Sequence, residues 1–198
     1  MADVTAAAEG RTRRRPARER LLAAAARRFY ADGIAATGID AVIAEAGVAK
    51  MSLYNNFASK DALVAEYLAV RHEEWLELYR RRAAGAAGAR ERVLAVFDAY
   101  LDHAALAYDR GFRGCGLLNA AAELPAGHDG RAAVRAHKEQ VEAILLEHLD
   151  ALGTGDAARL ARHLSLLLEG GMMRAGLEGT PAVLEQARAI ATELLDAA

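Results

Sequence analysis

The chain has 198 residues, with 25 Lys and Arg against 27 Asp and Glu, one cysteine and three prolines. This length suffices for one large domain or two small ones with a real core, and the single cysteine excludes an intramolecular disulfide and fits a cytoplasmic protein. No apolar stretch approaches the roughly 18 residues that a membrane span requires, and the polar, arginine-rich first residues lack the apolar segment of a secretory signal.

The charge is unevenly distributed. Residues 1–60 hold ten Lys and Arg and six Asp and Glu, whereas residues 61–198 hold fifteen and twenty-one. The first part therefore carries +4 and the remainder −6. This asymmetry favours a polyanionic partner at one end of the molecule, although a chance fluctuation of a few charges is the alternative.

The first third of the chain predicts a flexible arm and three short helices. Residues 1–15 are small, polar and arginine-rich, which is typical of disorder. A helix is predicted from Pro16 to about Ala31, because proline suits a first turn and apolar residues recur at helical spacing. Two further helices are predicted over about residues 39–46, with Thr37 or Gly38 as cap, and over about residues 50–56.

The rest of the chain also predicts helices. Ser59 is placed to cap a long fourth helix from residue 60 to about residue 82. Five more helices are predicted over about residues 89–109, 114–124, 130–152, 156–177 and 181–197. The helix over 156–177 is rich in leucine and is predicted to be interrupted at Gly170 and Gly171. Because no segment alternates as a strand does, the predicted fold class is all-α.

The second and third helices, joined at a glycine and preceded by another helix, indicate a helix-turn-helix. In that motif the second helix of the pair enters the major groove of DNA. Leu53 and Phe57, four residues apart, would face the protein interior. The residues left outward, with hydrogen-bonding ends suited to bases and phosphates, are Lys50, Ser52, Asn55 and Asn56.

A longer motif extends this pattern. Phe29 with Asp32-Gly33 is followed by TGIDAVIAEAGVAKMSLYNNFASKDAL from Thr37 to Leu63. Residues 16–65 thereby resemble the DNA-binding domain of the TetR family of one-component transcriptional regulators. The resemblance implies a flexible basic arm over 1–15, a helix-turn-helix domain over 16–65, and an effector-binding and dimerisation domain over 66–198, with about nine helices in all.

The resemblance also implies the residues that contact DNA, which are Thr37, Gly38, Lys50, Met51, Ser52, Tyr54, Asn55, Asn56 and Lys60. The Tyr54 hydroxyl would bind a phosphate, and Lys60 would bind another with help from the dipole of the fourth helix. Arg11 to Arg15 could add non-specific attraction or reach the minor groove. Met51 and Asn56 depart from residues common in the family, so the operator sequence is not implied.

For the C-terminal part, the resemblance implies a homodimer through the last two helices and a pocket for a small effector. The run RGCGLLNAAAELP, from Arg113 to Pro125, places three polar residues on one helical face, which suits a pocket wall. The candidate effector-binding residues are Trp75, Tyr79, Phe97, Tyr100, Cys115, Asn119, Glu123 and Met172. Core packing, hydrogen bonding and capping are alternative roles, so we expect only a few of them to line a pocket.

The predicted function is a DNA-binding regulator, most simply a repressor that binds a palindromic operator as a dimer and is released by a small molecule. It needs no metal or cofactor and has no membrane partner. One alternative is a regulator switched by thiol reagents or electrophiles through Cys115. A small helical enzyme with a dyad of Cys115 and His103 or His137 is another, but the chain has no P-loop, dinucleotide fingerprint or HExxH motif.

Overall fold

The computed structural model describes residues 16–105 and 111–198, which form nine α-helices and no strand. The helices are α1 Ala17–Ala31, α2 Ile39–Ala46, α3 Lys50–Tyr54, α4 Lys60–Ala84, α5 Ala89–Ala104, α6 Gly116–Glu123, α7 Asp129–Leu152, α8 Ala157–Glu178 and α9 Ala182–Asp196. The all-α prediction is confirmed. The predicted arm over 1–15 and the predicted continuation of the fifth helix beyond residue 105 fall outside the described residues.

The first three helices pack around a small apolar centre. Leu21, Val42 and Leu53 are fully buried, one from each helix. Burying such a side chain contributes about 1.5–3 kcal/mol. Gly47 ends α2 in the left-handed region at φ 59°, and its N–H donates to carbonyls of the last turn of α2. This glycine turn sets the direction in which α3 leaves α2, as the sequence motif requires.

The long helix α4 joins the two parts of the molecule. Its first residue follows Ser59, whose hydroxyl accepts a hydrogen bond from the Ala62 N–H at 3.0 Å, so the predicted cap is confirmed. Leu63 and Val64 are buried beside α1, and Trp75 and Leu76 are buried among the C-terminal helices. A single continuous helix therefore contributes to both apolar cores.

Two glycines in α8 do not break the helix, and the predicted interruption at Gly170 and Gly171 is wrong. At Gly171, an added Cβ would lie 2.9 Å from the Cβ of Ala187 in α9, so the glycine permits close packing of the two helices. The free energy gained by close packing of α8 on α9 outweighs the loss of about 1 kcal/mol that glycine causes, relative to alanine, in a helix interior. At Gly170 an added Cβ would meet open space.

Other differences from the predicted helices are at the ends. The third helix stops at Tyr54 with Asn55 as its C-cap, two residues earlier than predicted, and α9 has Pro181 rather than Thr180 as its N-cap. Helix ends depend on one or two marginal hydrogen bonds and vary by that amount. Of the helices in residues 16–105 and 111–198, none is long and apolar enough to cross a membrane.

Candidate nucleic-acid interface and ligand cavity

The outer face of α3 exposes side chains that a core helix would bury. Met51 is 66% exposed and Tyr54 49% exposed, whereas Leu53 and Phe57 are buried and hold the helix on α1 and α2. Exposed Met and Tyr on a helix this short are typical of a surface that binds a partner. Lys50, Asn55 and Asn56, in and directly after α3, are also exposed.

The polar residues of this face differ in how they are engaged. The Asn56 side-chain amide donates to the Ser52 carbonyl at 2.7 Å and so completes the last turn of α3. Lys50 Nζ lies 3.1 Å from Asp40 Oδ1, and this hydrogen bond raises the Lys50 pKa. Both groups are exposed, so Lys50 can exchange Asp40 for a phosphate at little cost. The Tyr54 hydroxyl and the side-chain amide of Asn55 make no hydrogen bond to any described residue.

Thr37 is buried, and its hydroxyl donates to the Gly33 carbonyl at 2.6 Å. Its side chain therefore stabilises the turn before α2. Gly38 is exposed and is the N-cap of α2. A phosphate at this position would contact backbone N–H groups at the start of α2, so the prediction for Thr37 and Gly38 narrows to main-chain contacts.

Lys60 is the first residue of α4, at the positive end of the helix dipole. A cation there is unfavourable for the helix itself, because cations stabilise the opposite end. Lys60 forms no ion pair with any residue in the described part of the chain. An anion at this site would interact favourably with both the ammonium group and the helix N-terminus, which suits a phosphate.

Several arginines counted in the basic first third have internal partners. Arg27 and Arg28 both bind the Glu45 carboxylate and join α1 to α2. Although partial burial raises the Glu45 pKa, hydrogen bonds from these two arginines hold that pKa below its usual range. Arg20 donates to the two carbonyls at the C-terminal end of α2. The positive charge at this end of the chain therefore also builds the scaffold beneath α3.

A small cavity of about 20 Å³ lies between α4, α5, α6 and α7. Its described lining residues are Arg71, Trp75, Tyr100, His103, Cys115, Gly116, Leu117 and His137. Trp75, Tyr100 and Cys115 were candidates from the sequence. The flat rings of Trp75 and Tyr100 lie with centroids 5.3 Å apart.

The five other candidates are not among the described lining residues. Phe97 and Met172 are fully buried in the core. Tyr79 stacks on Trp75 at 5.8 Å, and its hydroxyl lies 2.6 Å from His148 Nε2. Asn119 and Glu123, the last two candidates, hydrogen bond to backbone atoms instead.

Polar lining residues were missed by sequence reasoning, although a signal was present. Arg71 interrupts the buried stripe of α4 between Leu68 and Trp75. His137 likewise interrupts the buried positions of α7 between Val134 and Val141. A polar residue at an otherwise apolar helical position is the pattern that could have identified both.

The histidines of the cavity are neutral at physiological pH. Burial, with nearby Lys138 as a further cause, lowers the pKa of His137 to about 3. Burial, with nearby Arg71, lowers the pKa of His103 to about 4. His137 Nδ1 lies 2.9 Å from a ring nitrogen of His72, and its Nε2 lies 3.4 Å from the Tyr100 hydroxyl. This polar network fixes the orientation of the cavity wall.

Residues 113–123, the latch segment, connect the cavity to the helix-turn-helix. The Arg113 guanidinium donates to the carbonyls of Tyr30 and Ala31 at 2.7 and 2.6 Å. The Tyr30 hydroxyl donates to the Gly114 carbonyl at 3.2 Å. At the other end of the segment, the Ala35 N–H donates to Glu123 at 2.7 Å. The same segment supplies Cys115, Gly116 and Leu117 to the cavity.

Comparisons with known proteins agree with this arrangement. Residues 21–67 match the family model described as bacterial regulatory proteins, tetR family. No curated protein matches the chain. A solved TetR-family transcriptional regulator from Streptomyces coelicolor is 32% identical, with 89% of this chain and 96% of that chain covered and a TM-score of 0.78.

Two more distant structures have the same fold. A TetR transcriptional regulator from Chloroflexus aurantiacus is 28% identical over 91% of this chain and 94% of that chain, with a TM-score of 0.79. The regulatory protein TetR from Rhodobacter sphaeroides is 23% identical over 90% of this chain and 98% of that chain, with a TM-score of 0.77. At that identity, the likeness concerns the fold alone.

Proposed function

The chain belongs to the TetR family of transcriptional regulators, and from this premise we propose that it is a ligand-responsive repressor that binds a palindromic operator as a homodimer. A small molecule in the cavity releases the dimer from DNA. The protein acts in the cytoplasm, where the bacterial chromosome lies. Because this family consists of transcriptional regulators, the enzyme alternative is set aside.

The observation that carries the proposal is the position of α4. Lys60 begins this helix at the candidate DNA surface, and Arg71 and Trp75 line the cavity from the same helix. Fifteen residues of helix separate Lys60 from Trp75, a distance of about 22 Å. A ligand that shifts Trp75 therefore moves a rigid rod whose other end contacts phosphate, and small shifts of such rods are amplified at an interface.

The candidate DNA surface contains two kinds of residue, those that would bind phosphates and those that would contact bases. Tyr54→Phe and Lys60→Ala should weaken binding to all duplexes, because phosphate contacts carry little base information. Lys60→Ala should also reduce the slope of log affinity against log salt by about one. Asn55→Ala should change which operator is preferred, by about 1–3 kcal/mol for a lost base contact. Affinities for a selected operator and for random duplex, measured by fluorescence anisotropy, test this.

The matched control for these variants is Arg135→Ala, which removes an exposed cation from α7. It should leave the affinity for both duplexes unchanged. If all the variants lowered specific and random binding equally, the assignment of α3 as the reading helix would be wrong.

The homodimer is proposed from the exposed apolar surface of the last two helices. Leu166, Met173 and Leu177 of α8 are 61%, 48% and 77% exposed, and Ile190 of α9 is 44% exposed. Gly170 lies on the same stripe of α8, with open space where a Cβ would be. A row of large apolar residues around a glycine suits the close approach of a second copy of α8.

Leu177→Lys should therefore convert the dimer to a monomer. In a two-fold interface each substitution occurs twice, so the two new ammonium groups would be desolvated on the same axis. The control is Leu152→Lys, at a position 40% exposed at the end of α7. Light scattering at micromolar concentration should give a dimer for the unaltered protein and the control. A monodisperse monomer of the unaltered protein would contradict the proposal.

A thiol-switched regulator is the second candidate, because Cys115 lines the cavity and would meet a molecule that enters it. In that case an electrophile entering the cavity would modify Cys115 and release DNA. Cys115→Ser would then abolish the response to thiol reagents and preserve operator binding. A response unchanged in Cys115→Ser would exclude this candidate.

A further inference from the structure

We propose that the cavity binds a small aromatic carboxylate, whose oxygens accept hydrogen bonds from Arg71 and Trp75. This inference rests on the proposed ligand-responsive function and names the chemical class of its effector. The cavity is the one lined by α4, α5, α6 and α7.

Two residues that line this cavity carry buried hydrogen-bond donors without a partner. Among the described residues, neither Trp75 Nε1 nor Arg71 Nε has a hydrogen-bond acceptor, and both atoms are shielded from solvent. Trp75 as a whole is only 3% exposed. Indole and guanidinium nitrogens donate and do not accept. Because buried donors are satisfied in the great majority of native proteins, these two indicate a place for acceptor oxygens.

The spacing of the two donors suits a carboxylate. Arg71 and Trp75 are four residues apart in α4, so their side chains lie on the same face, one turn from each other. The terminal nitrogen Nη2 of Arg71 is already bound to Glu74, which leaves Nε for the cavity. Two donors on one helical face, one of them cationic, can bind the two oxygens of one carboxylate.

The charges around the cavity also favour an anion. No described lining residue carries a carboxylate, and the histidines of the wall are neutral. Lys138 lies behind Tyr100, with its Nζ 3.3 Å from the Tyr100 hydroxyl. The nearby acids are Glu74, which pairs with Arg71, and Glu169, whose charge acts on Lys138. Because Glu74 engages Nη2 of Arg71, Nε remains the donor to which a carboxylate binds.

The shape of the wall indicates a flat ligand. Trp75 and Tyr100 present ring faces tilted by 50° to each other, and His137 meets Trp75 edge-on with centroids 5.3 Å apart. Aromatic walls of this kind bind planar rings by stacking and edge contacts. The cavity volume is about 20 Å³, room for about one water, so even a ligand with one ring enters only by displacing wall residues such as Trp75.

The chain provides its own reporter, because Trp75 is its single tryptophan. Fluorescence titrations of the full-length protein without DNA would use benzoate, benzamide and benzylamine. These probes share a ring and differ in charge. Benzoate should change the Trp75 emission and bind at least on the order of tenfold more tightly than benzamide, and benzylamine should not bind.

Two arginine variants of α4 then separate a ligand contact from a general charge effect. Arg71→Gln should weaken benzoate on the order of tenfold and leave benzamide unchanged, since only the anion gains from the guanidinium charge. Arg80→Gln removes an exposed charge from the same helix and should change neither affinity. Trp75→Phe retains an aromatic ring without the N–H and should weaken benzoate in calorimetry.

Equal affinity for benzoate and benzamide, a preference for benzylamine, or no binding of any probe by the unaltered protein would overturn the inference, whether or not the variants fold. Operator binding by the same preparations is measured separately. If no probe binds and operator binding is intact, the proposal that the ligand is a carboxylate is wrong, and the proposed function is not contradicted. Benzoate binding that leaves operator affinity unchanged contradicts the ligand-responsive function and preserves the site.

Discussion

A proline at position 70 is expected to disconnect the cavity from the DNA surface. Val70 lies inside α4, one residue before Arg71 and ten residues after Lys60. Proline there removes one backbone hydrogen bond and clashes with the preceding turn, at a cost of about 3 kcal/mol. The helix would bend between its two functional ends. Val70→Pro protein should bind operator with an affinity that no longer responds to a ligand in the cavity.

The measurement uses linkage between the two sites. If a ligand weakens operator binding by some factor, operator must weaken ligand binding by the same factor. Saturating the unaltered protein with a selected operator should therefore change both the Trp75 emission and the affinity for benzoate. In Val70→Pro, shown to be folded by circular dichroism, operator should change neither.

Val70→Ala is the control, because alanine shortens the side chain and retains the helical hydrogen bond. It should preserve the response. An undiminished response in Val70→Pro would mean that the signal travels by another route, and the latch segment is the physical alternative. In that case Glu123→Ala, which removes the acceptor of the Ala35 N–H, should abolish the response.

Local rules predicted most of the fold. The start of α4 followed from a serine cap, and the turn before α3 followed from a glycine that adopts positive φ. Both signals act over a few neighbouring residues. The break predicted at Gly170 and Gly171 was wrong because contact with α9 outweighs the low helix propensity of glycine.

The candidate sites were harder to predict because burial depends on distant residues. The Thr37 hydroxyl looked available for a phosphate, but packing turns it toward the Gly33 carbonyl. Glu123 looked like a pocket residue, but it binds a backbone N–H 88 residues earlier in the chain. Arg71 was overlooked because an arginine on a long helix is usually a solvated charge. Only the packed helices place its Nε against a cavity.

Helix α8 packs closely against the latch segment at Gly176. The substitution Gly176→Ala should disrupt this contact. An added Cβ at Gly176 would lie 2.5 Å from the backbone nitrogen of Gly114 and 2.7 Å from the carbonyl carbon of Arg113. These are backbone atoms, so no side chain can move aside. We expect a loss of about 1–3 kcal/mol in the free energy of unfolding, despite the better helix propensity of alanine.

Gly155→Ala is the control, in the loop before α8 at a position where an added Cβ would meet open space. There alanine should increase stability by up to about 1 kcal/mol, since it lowers the conformational entropy of the unfolded chain without a clash in the folded one. The two variants should shift the thermal midpoint in opposite directions when scanned at the same protein concentration, since the midpoint of the proposed dimer depends on that concentration. A stabilised Gly176→Ala would mean that Gly114 does not rest on α8.

The same variant links stability to regulation. Gly114 accepts a hydrogen bond from the Tyr30 hydroxyl, so displacing its backbone should loosen the end of α1 beneath the helix-turn-helix. Anisotropy titrations should then show weaker operator binding by Gly176→Ala, whereas Gly155→Ala should bind as the unaltered protein does. Because the latch segment also forms part of the cavity wall, the loss should appear in the affinity for benzoate as well. A variant that was less stable and yet bound operator normally would show that the latch segment supports the fold without orienting α1.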